Sequence, residues 1–380
     1  MKIKLSNIAD IIMGQSPEGN SYNNQKNGLP LLNGAADYKG NNFNPKKFTN
    51  APLKIAKKGD ILIGIRATIG NLAIADKDYC IGRGLAAIRV SNEVSKKYVT
   101  HFLSQQINKL IYNSSGSTIK GIVKEDLFDM AIPLPSLPSQ LKIAEILDVA
   151  EAIKNENEEL IKKYDDLAQS IFIDMFGDPI RNDKNWGEST LDKVCLKITD
   201  GTHDTPKRLR EGNKFITGKH IKPYFIDYEN SDYVTPEIHD QIYRRCNPQK
   251  GDILYTNIGV NYATAAMNTV DYEFSMKNVA LLKYNRELLS GRYLEHLLNN
   301  SLFKSRLQTL TGIGGAQQFL SLTQIKSIKI LLPPISLQLK FDNIISSIYK
   351  SIEISNRSLT ASEILFDSLI QKAFSGELLA

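Results

Sequence analysis

Cysteine is scarce, with three in 380 residues (Cys80, Cys195 and Cys246) scattered far apart. That excludes a disulfide framework and a thiolate metal site. The five histidines, His101, His203, His220, His239 and His296, show no ligand spacing. No apolar run approaches the roughly 20 residues that span a bilayer. The start, Met1-Lys2-Ile3-Lys4-Leu5, lacks the apolar stretch of a signal peptide, so a reducing cytoplasm is the expected location. Catalytic signatures are missing as well. There is no GxxxxGK(S/T) loop, no Asn-Pro-Pro-aromatic tetrapeptide and no acidic-plus-lysine nuclease cluster. Gly82-Arg83-Gly84-Leu85-Ala86-Ala87 fits a loose GxGxxA, but Ile88-Arg89-Val90 after it reads as strand, not as a phosphate-binding helix. His203 with Asp204 and Asp200 is better read as a polar loop than as a general-base pair. No catalytic and no metal-binding residue is assigned.

Two stretches dominate what is present. From Ser139 to Phe176, apolar residues recur at Ile143, Leu147, Ala150, Ile161, Tyr164, Ala168, Ile171 and Met175, with a polar gap at Lys154 and Asn157. The alternating steps of three and four make a seam of period 3.5, which predicts one long helix facing another. From Leu337 to Phe374 the stripe is Phe341, Ile345, Ile348, Ile352, Leu359, Phe366, Leu369 and Ala373. Gln140-Leu141-Lys142 matches Gln338-Leu339-Lys340, and Phe176 matches Phe374, at one offset of 198. Each stretch follows an apolar, proline-punctuated strand, Ile132-Pro133-Leu134-Pro135 or Leu331-Leu332-Pro333-Pro334. The chain is therefore a tandem repeat. The expected segments are a globular domain at 1–138, a helix and linker at 139–180, a second globular domain at 181–336 and a second helix at 337–380.

The two globular blocks follow one plan. Short strands with Gly and Asn turns, mixed with a few helices, predict an α+β fold. Lys58-Gly59-Asp60-Ile61-Leu62 returns as Lys250-Gly251-Asp252-Ile253-Leu254, and Pro30-Leu31-Leu32-Asn33-Gly34 resembles Lys214-Phe215-Ile216-Thr217-Gly218. Helices are predicted over Tyr98–Leu110 and Tyr293–Leu307 and a strand over Leu85–Val90, with Phe274–Leu282 the counterpart of Gly82–Val90. Polar loop residues differ between the blocks, as expected of a scaffold copied to bind two different things. Residues 1–138 hold 18 Lys/Arg against 10 Asp/Glu, net +8, and 181–336 hold 21 against 16, net +5. The segment 139–180 holds 4 against 10, net −6. Basic modules point to a polyanion, foremost nucleic acid.

Residue types that read base edges or hold phosphates stand on strand-end loops of both blocks. The candidate DNA contacts are Asn33, Lys39, Arg66, Arg83 and Lys120 in the first block. The second block offers Thr217, Lys219, His220, Asn257, Lys277, Asn278, Gln317 and Gln318. Gly116, Gly314 and Gly315 would let backbone approach a phosphate. The other reading open to these residues is a coiled-coil scaffold whose blocks bind protein.

The whole chain resembles the specificity (S) subunit of type I restriction–modification systems. The features that carry this are the two strand-proline-long-helix segments with Gln140 and Gln338, and the repeated Lys-Gly-Asp-Ile-Leu turn. Others are Met175-Phe176-Gly177-Asp178-Pro179, Trp186, and Ala373-Phe374-Ser375-Gly376-Glu377-Leu378. The resemblance implies two target recognition domains, each reading half of a split double-stranded DNA site. It implies a non-catalytic chain that binds two adenine methyltransferase (M) subunits and recruits helicase-nuclease restriction (R) subunits. S-adenosylmethionine would sit in the methyltransferase, and ATP and Mg in the restriction subunit. A short join at Gly177–Gly187 requires the helices to pair antiparallel, as a spacer about 57 Å long.

Overall fold

In the strand Ile61–Gly64 every residue is buried. Ile61 and Ile63 point into one apolar cluster and Leu62 into another, so the strand is covered on both faces. It belongs to a four-stranded antiparallel sheet in the order Leu72–Ile74, Ile61–Gly64, Leu85–Val90, Ala9–Met13. Beside it in sequence runs a mixed five-stranded sheet in which Leu29–Leu32 and Tyr79–Ile81 pair in parallel. The computed structural model that shows this describes residues 2–114, 121–259, 261–310 and 319–379. Lys120, Gln317, Gln318, Gly116, Gly314 and Gly315 lie outside the described residues.

The same plan recurs after residue 190. Ala265–Met267, Ile253–Tyr255, Ala280–Tyr284 and Cys195–Asp200 form the antiparallel sheet. Asn213–Thr217 and Ser275–Lys277 supply the parallel pair. Again Ile253 and Tyr255 enter one cluster while Leu254 enters the other. The repeated turn has one physical basis. Gly59 and Gly251 sit at φ 87° and 92°, a region that suits glycine. The next residue caps the turn: Asp60 accepts from Lys57 N at 2.8 Å, and Asp252 from Gln249 N at 2.8 Å. Each aspartate also pairs with a cation on the neighbouring strand, Arg89 or Lys283. The expected α+β character is observed in both blocks.

The chain divides into two compact units, Met1–Glu158 with Arg357–Ala380, and Glu159–Asn356. The long helices, Leu137–Phe176 and Ile335–Ser375, thus give half of their length to each unit. The division differs from segment boundaries at 138/139 and 336/337 because the module cores absorb the helix ends. In the first unit Ile143, Ala144 and Leu147 share a cluster with Ile370, Ala373 and Phe374. In the second, Ala168, Phe172 and Phe176 share one with Phe341, Ile345 and Ile348. Within each unit the start of one helix therefore packs beside the end of the other.

A buried glutamine ties each helix to its module. Gln140 Oε1 accepts from Ser95 N at 3.0 Å and its Nε2 donates to Pro135 O at 2.9 Å. Gln338 repeats this with Ser290 N and Pro333 O, both at 2.9 Å. The polar gap also has a local account. Lys154 Nζ lies 5.5 Å from the Phe366 ring centroid, so its stem covers an aromatic ring. Asn157 Nδ2 turns back to Ile153 O at 3.0 Å. On the first helix, Asp148 takes Lys97 at 2.5 Å and meets His101 Nε2 at 2.7 Å.

Candidate nucleic-acid interface

In the first unit, the ends of three strands converge. Gly82 and Gly84 are buried while Arg83 between them is exposed. A Cβ on Gly84 would lie 2.5 Å from Asn33 O, so only glycine lets the two loops meet. Gly82 N donates to Leu32 O, Arg83 N to Ser16 Oγ at 3.3 Å, and Ile65 N to Gly84 O at 2.9 Å. These bonds bring Asn33, Arg66 and Arg83 to one edge. The Asn33 backbone is fixed by Asp37, which accepts its N–H at 2.7 Å. The glycine-rich stretch that mimics a nucleotide motif is thus a loop junction that projects an arginine. Lys39 stands apart, exposed in the two-residue ladder Tyr38–Lys39/Asn42–Phe43.

The corresponding edge of the second unit is a cavity of about 590 Å³ whose lining includes Arg208, Lys219, Lys222, Lys277, Asn261 and Asn278. Arg208 and Lys219 share Asp232, at 2.5 and 3.1 Å. Lys277 donates to Thr205 Oγ1. Asn261 Nδ2 donates to Gly218 O and Ile221 O, which holds the cavity floor. Asn278 sits at φ 52° in the turn between the strands Ser275–Lys277 and Ala280–Tyr284. Its Oδ1 faces His203 Nδ1 at 3.0 Å, and His203 Nε2 faces Asp200 Oδ2 at 2.8 Å. Asp200 is buried, and Arg245 donates to its other oxygen at 2.5 Å. Held on both oxygens, this buried carboxylate orients His203 and Arg245.

The two edges correspond. Ile81 and Met276 occupy the same place in the parallel pairs, opposite Leu32 and Ile216. Gln15 N donates to Ile81 O and Thr202 N to Met276 O, each at 3.0 Å. Counting on from these, Ser16 matches His203, while the next strand resumes at Leu85 and Val279, whose carbonyls accept from Gly14 N and Gly201 N, so the loop holding Arg83 is one residue longer than the loop holding Asn278. The loop between these strands carries an arginine in one module and an asparagine in the other.

Three candidates point inward instead. His220 is 3% exposed; its Nδ1 accepts from Thr217 N at 2.9 Å, closing the turn Gly218–His220. Burial, with Lys219 adding to it, pushes its pKa down and favours the neutral ring this bond requires. Thr217 is the buried cap of that turn. Asn257 is 2% exposed, and its Nδ2 donates to Leu320 O. These three residues build the loop rather than project from it. Arg208, Lys222 and Asn261 were not singled out by sequence, and His203 only as part of a polar loop. The cluster Lys207-Arg208-Leu209-Arg210 after Gly201-Thr202-His203 was the available signal. Among the described residues no group of His, Cys, Asp and Glu could hold a metal ion, and no helix is long and apolar enough to cross a membrane.

Residues 1–164 and 183–362 each match the model of the type I restriction modification DNA specificity domain. A Methanocaldococcus jannaschii protein provisionally named the type I restriction enzyme MjaX specificity subunit is 43% identical over 158 residues, 40% of this chain and 37% of that protein. The MjaIX specificity subunit of the same organism is 25% identical over 89% of this chain and 82% of its own length. The crystal structure of the type I restriction–modification S subunit from M. genitalium has the same fold, with a TM-score of 0.63 at 19% identity. That match covers 98% of this chain and 96% of that one.

Proposed function

Because the chain belongs to the family of type I restriction–modification DNA specificity domains, we propose that it reads a split duplex DNA site, one half with each module. The family supplies specificity and leaves catalysis to other chains. One observation carries the reading: in the two matching frameworks the same inter-strand loop carries an exposed Arg83 in one and a half-buried Asn278 in the other. Arginine and asparagine are side chains that discriminate base edges. Around them, Arg66, Lys219, Lys222 and Lys277 supply positive charge for phosphates.

The long helices, 40 and 41 residues, set the gap between half-sites. At 1.5 Å per residue they reach about 60 Å, an upper bound of roughly 18 base pairs. Val149, Ile153, Leu160 and Leu167 remain 40–56% exposed on the first helix. They recur at helical spacing away from the seam and suit the docking of adenine methyltransferase subunits. Those partners hold S-adenosylmethionine, and restriction subunits bring ATP and Mg. The test is the adenine methylome of cells with and without this gene, with the system expressed. Loss of one bipartite motif is expected; an unchanged set of motifs contradicts the reading.

A further inference from the structure

Asp232 opens the strand Asp232–Val234, and its Oδ2 accepts from two residues that line the second module's cavity, Arg208 Nη1 at 2.5 Å and Lys219 Nζ at 3.1 Å. Lys219 stands on the turn Gly218–His220, and Arg208 beside Leu209, whose N donates to Tyr233 O at 2.9 Å. The first module brings the same two framework positions together. Leu31 and Phe215 correspond, since each precedes the matched residue Leu32 or Ile216 of the parallel pairs. Across the sheet Leu31 pairs with Lys47, and Phe215 with Asp232. One residue further, Phe48 pairs with Asn23 and Tyr233 with Leu209, so Tyr22 matches Arg208. Lys47 Nζ lies 5.2 Å from the Tyr22 ring centroid. One pair of positions thus touches in both modules, as a cation over a ring in the first and as an ion pair in the second. The Arg208 side chain is 41% exposed and that of Asp232 22%. An ion pair this open to water adds little to stability; what it fixes is the direction of the guanidinium.

We propose that Arg208 reads a guanine in the second half-site and that Asp232 is the positioning residue that aims it. This rests on the modules reading DNA and names one reader, its base and its support. A guanidinium carries five N–H donors in a rigid plane. Asp232 engages Nη1, whereas the Nε–Nη2 edge presents two parallel donors, the match to guanine O6 and N7. Adenine has an amino group where guanine has O6, so it would meet a donor with a donor. Lys219 shares the carboxylate but ends in a compact ammonium, which has no such edge and suits a phosphate. Holding the arginine before DNA arrives also removes rotamer freedom that binding would otherwise have to remove. The first module places Tyr22 and Lys47 at these positions, so its half-site is read there without an arginine fork.

The experiment selects bound duplexes from a randomised pool, using the full chain with its methyltransferase partner, for wild type and variants. Arg208→Lys keeps the charge and loses the fork. It should weaken the preference for guanine at one position of the second half-site roughly ten- to hundredfold. Neighbouring positions, the first half-site and the salt dependence should stay as they are, which also shows that the module is folded. Asp232→Ala should relax the same position without weakening binding to other sequences, since a negative charge has left a surface that faces a polyanion. Asp232→Glu, which restores the carboxylate, should recover part of the preference. An unchanged second half-site in Arg208→Lys would overturn the proposal. So would a uniform loss across sequences in Arg208→Ala with a salt slope smaller by about 0.9, the mark of a phosphate contact. Full guanine preference in Asp232→Ala would overturn the aiming by Asp232. A wild-type pool with no preferred sequence in either half would instead sink the DNA-reading function itself.

Discussion

Arg83 and Asn278 stand on the same loop of two copied frameworks, and what surrounds them decides what they can do. Arg83 projects between buried glycines with its backbone fixed by Ser16. Arg83→Ala should cost about 1–3 kcal/mol at one base position of the first half-site and leave the second half-site alone. Competition binding against single-base variants of the motif checks this; a uniform loss at all positions would mean Arg83 holds a phosphate instead. A second residue-scale expectation concerns stability. His296 is 3% exposed, stacks on Tyr224 and meets Tyr349 Oη at 2.7 Å. Burial, with Arg292 adding to it, drives its pKa down to about 3. The unfolded imidazole titrates near 6.5. Folding therefore favours the neutral ring: its contribution is complete above about pH 6.5 and is lost as pH falls toward 3, by up to about 1.4 kcal/mol per unit. Glu295 and Asp342 nearby are raised by burial and act in the opposite sense. The informative measurement is thus the difference between wild type and His296→Gln in urea midpoint from pH 7 to pH 5. The wild type should lose more; equal losses would contradict the assignment. Residue type alone could not separate Asn278 from Asn257, or Lys219 from His220. Both members of each pair are polar and on loops, and only tertiary hydrogen bonding shows which one turns inward.

At the scale of elements, the long helices were the most legible part, because a seam of period 3.5 sustained along both stretches is a pattern that a helix facing a helix requires and a strand does not produce. The glutamines marked them too, without showing why. Gln338 is fully buried and satisfies Ser290 N, Pro333 O and Leu288 O. Gln338→Leu keeps the apolar bulk and orphans those groups, at about 1–3 kcal/mol for each one left unpaired. A fall in denaturation midpoint is expected, with no change in the bases read by a complex that still assembles. A neutral effect would show that water replaces the amide. Other elements were less visible. The helix predicted over Tyr293–Leu307 is two, Gly291–Asn299 and Ser301–Leu310, because Asn300 Oδ1 caps the second through Leu302 N and Phe303 N. Pro236–Cys246 went unread although Thr235 caps it and Pro236 opens it. It lies in an insertion with no counterpart helix in the first block, so the repeat gave no guidance.

At the scale of the molecule, the proposed reading assigns each half of the site to one module of a duplicated framework with exchanged loop residues. The charge split fits this, with net +8 and +5 on the globular blocks and −6 on the first helix segment. Half-site identity was the part least open to reading from sequence, since it depends on loop hydrogen bonds that only the fold reveals. The most direct measurement replaces the second module, residues 183–328, with the corresponding stretch of the first and records the adenine methylome of cells expressing it with the methyltransferase. Two identical readers related by the repeat should give an inverted-repeat motif built from the first half-site alone. Retention of the original second half-site in that chimaera would contradict the assignment of one half-site to each module.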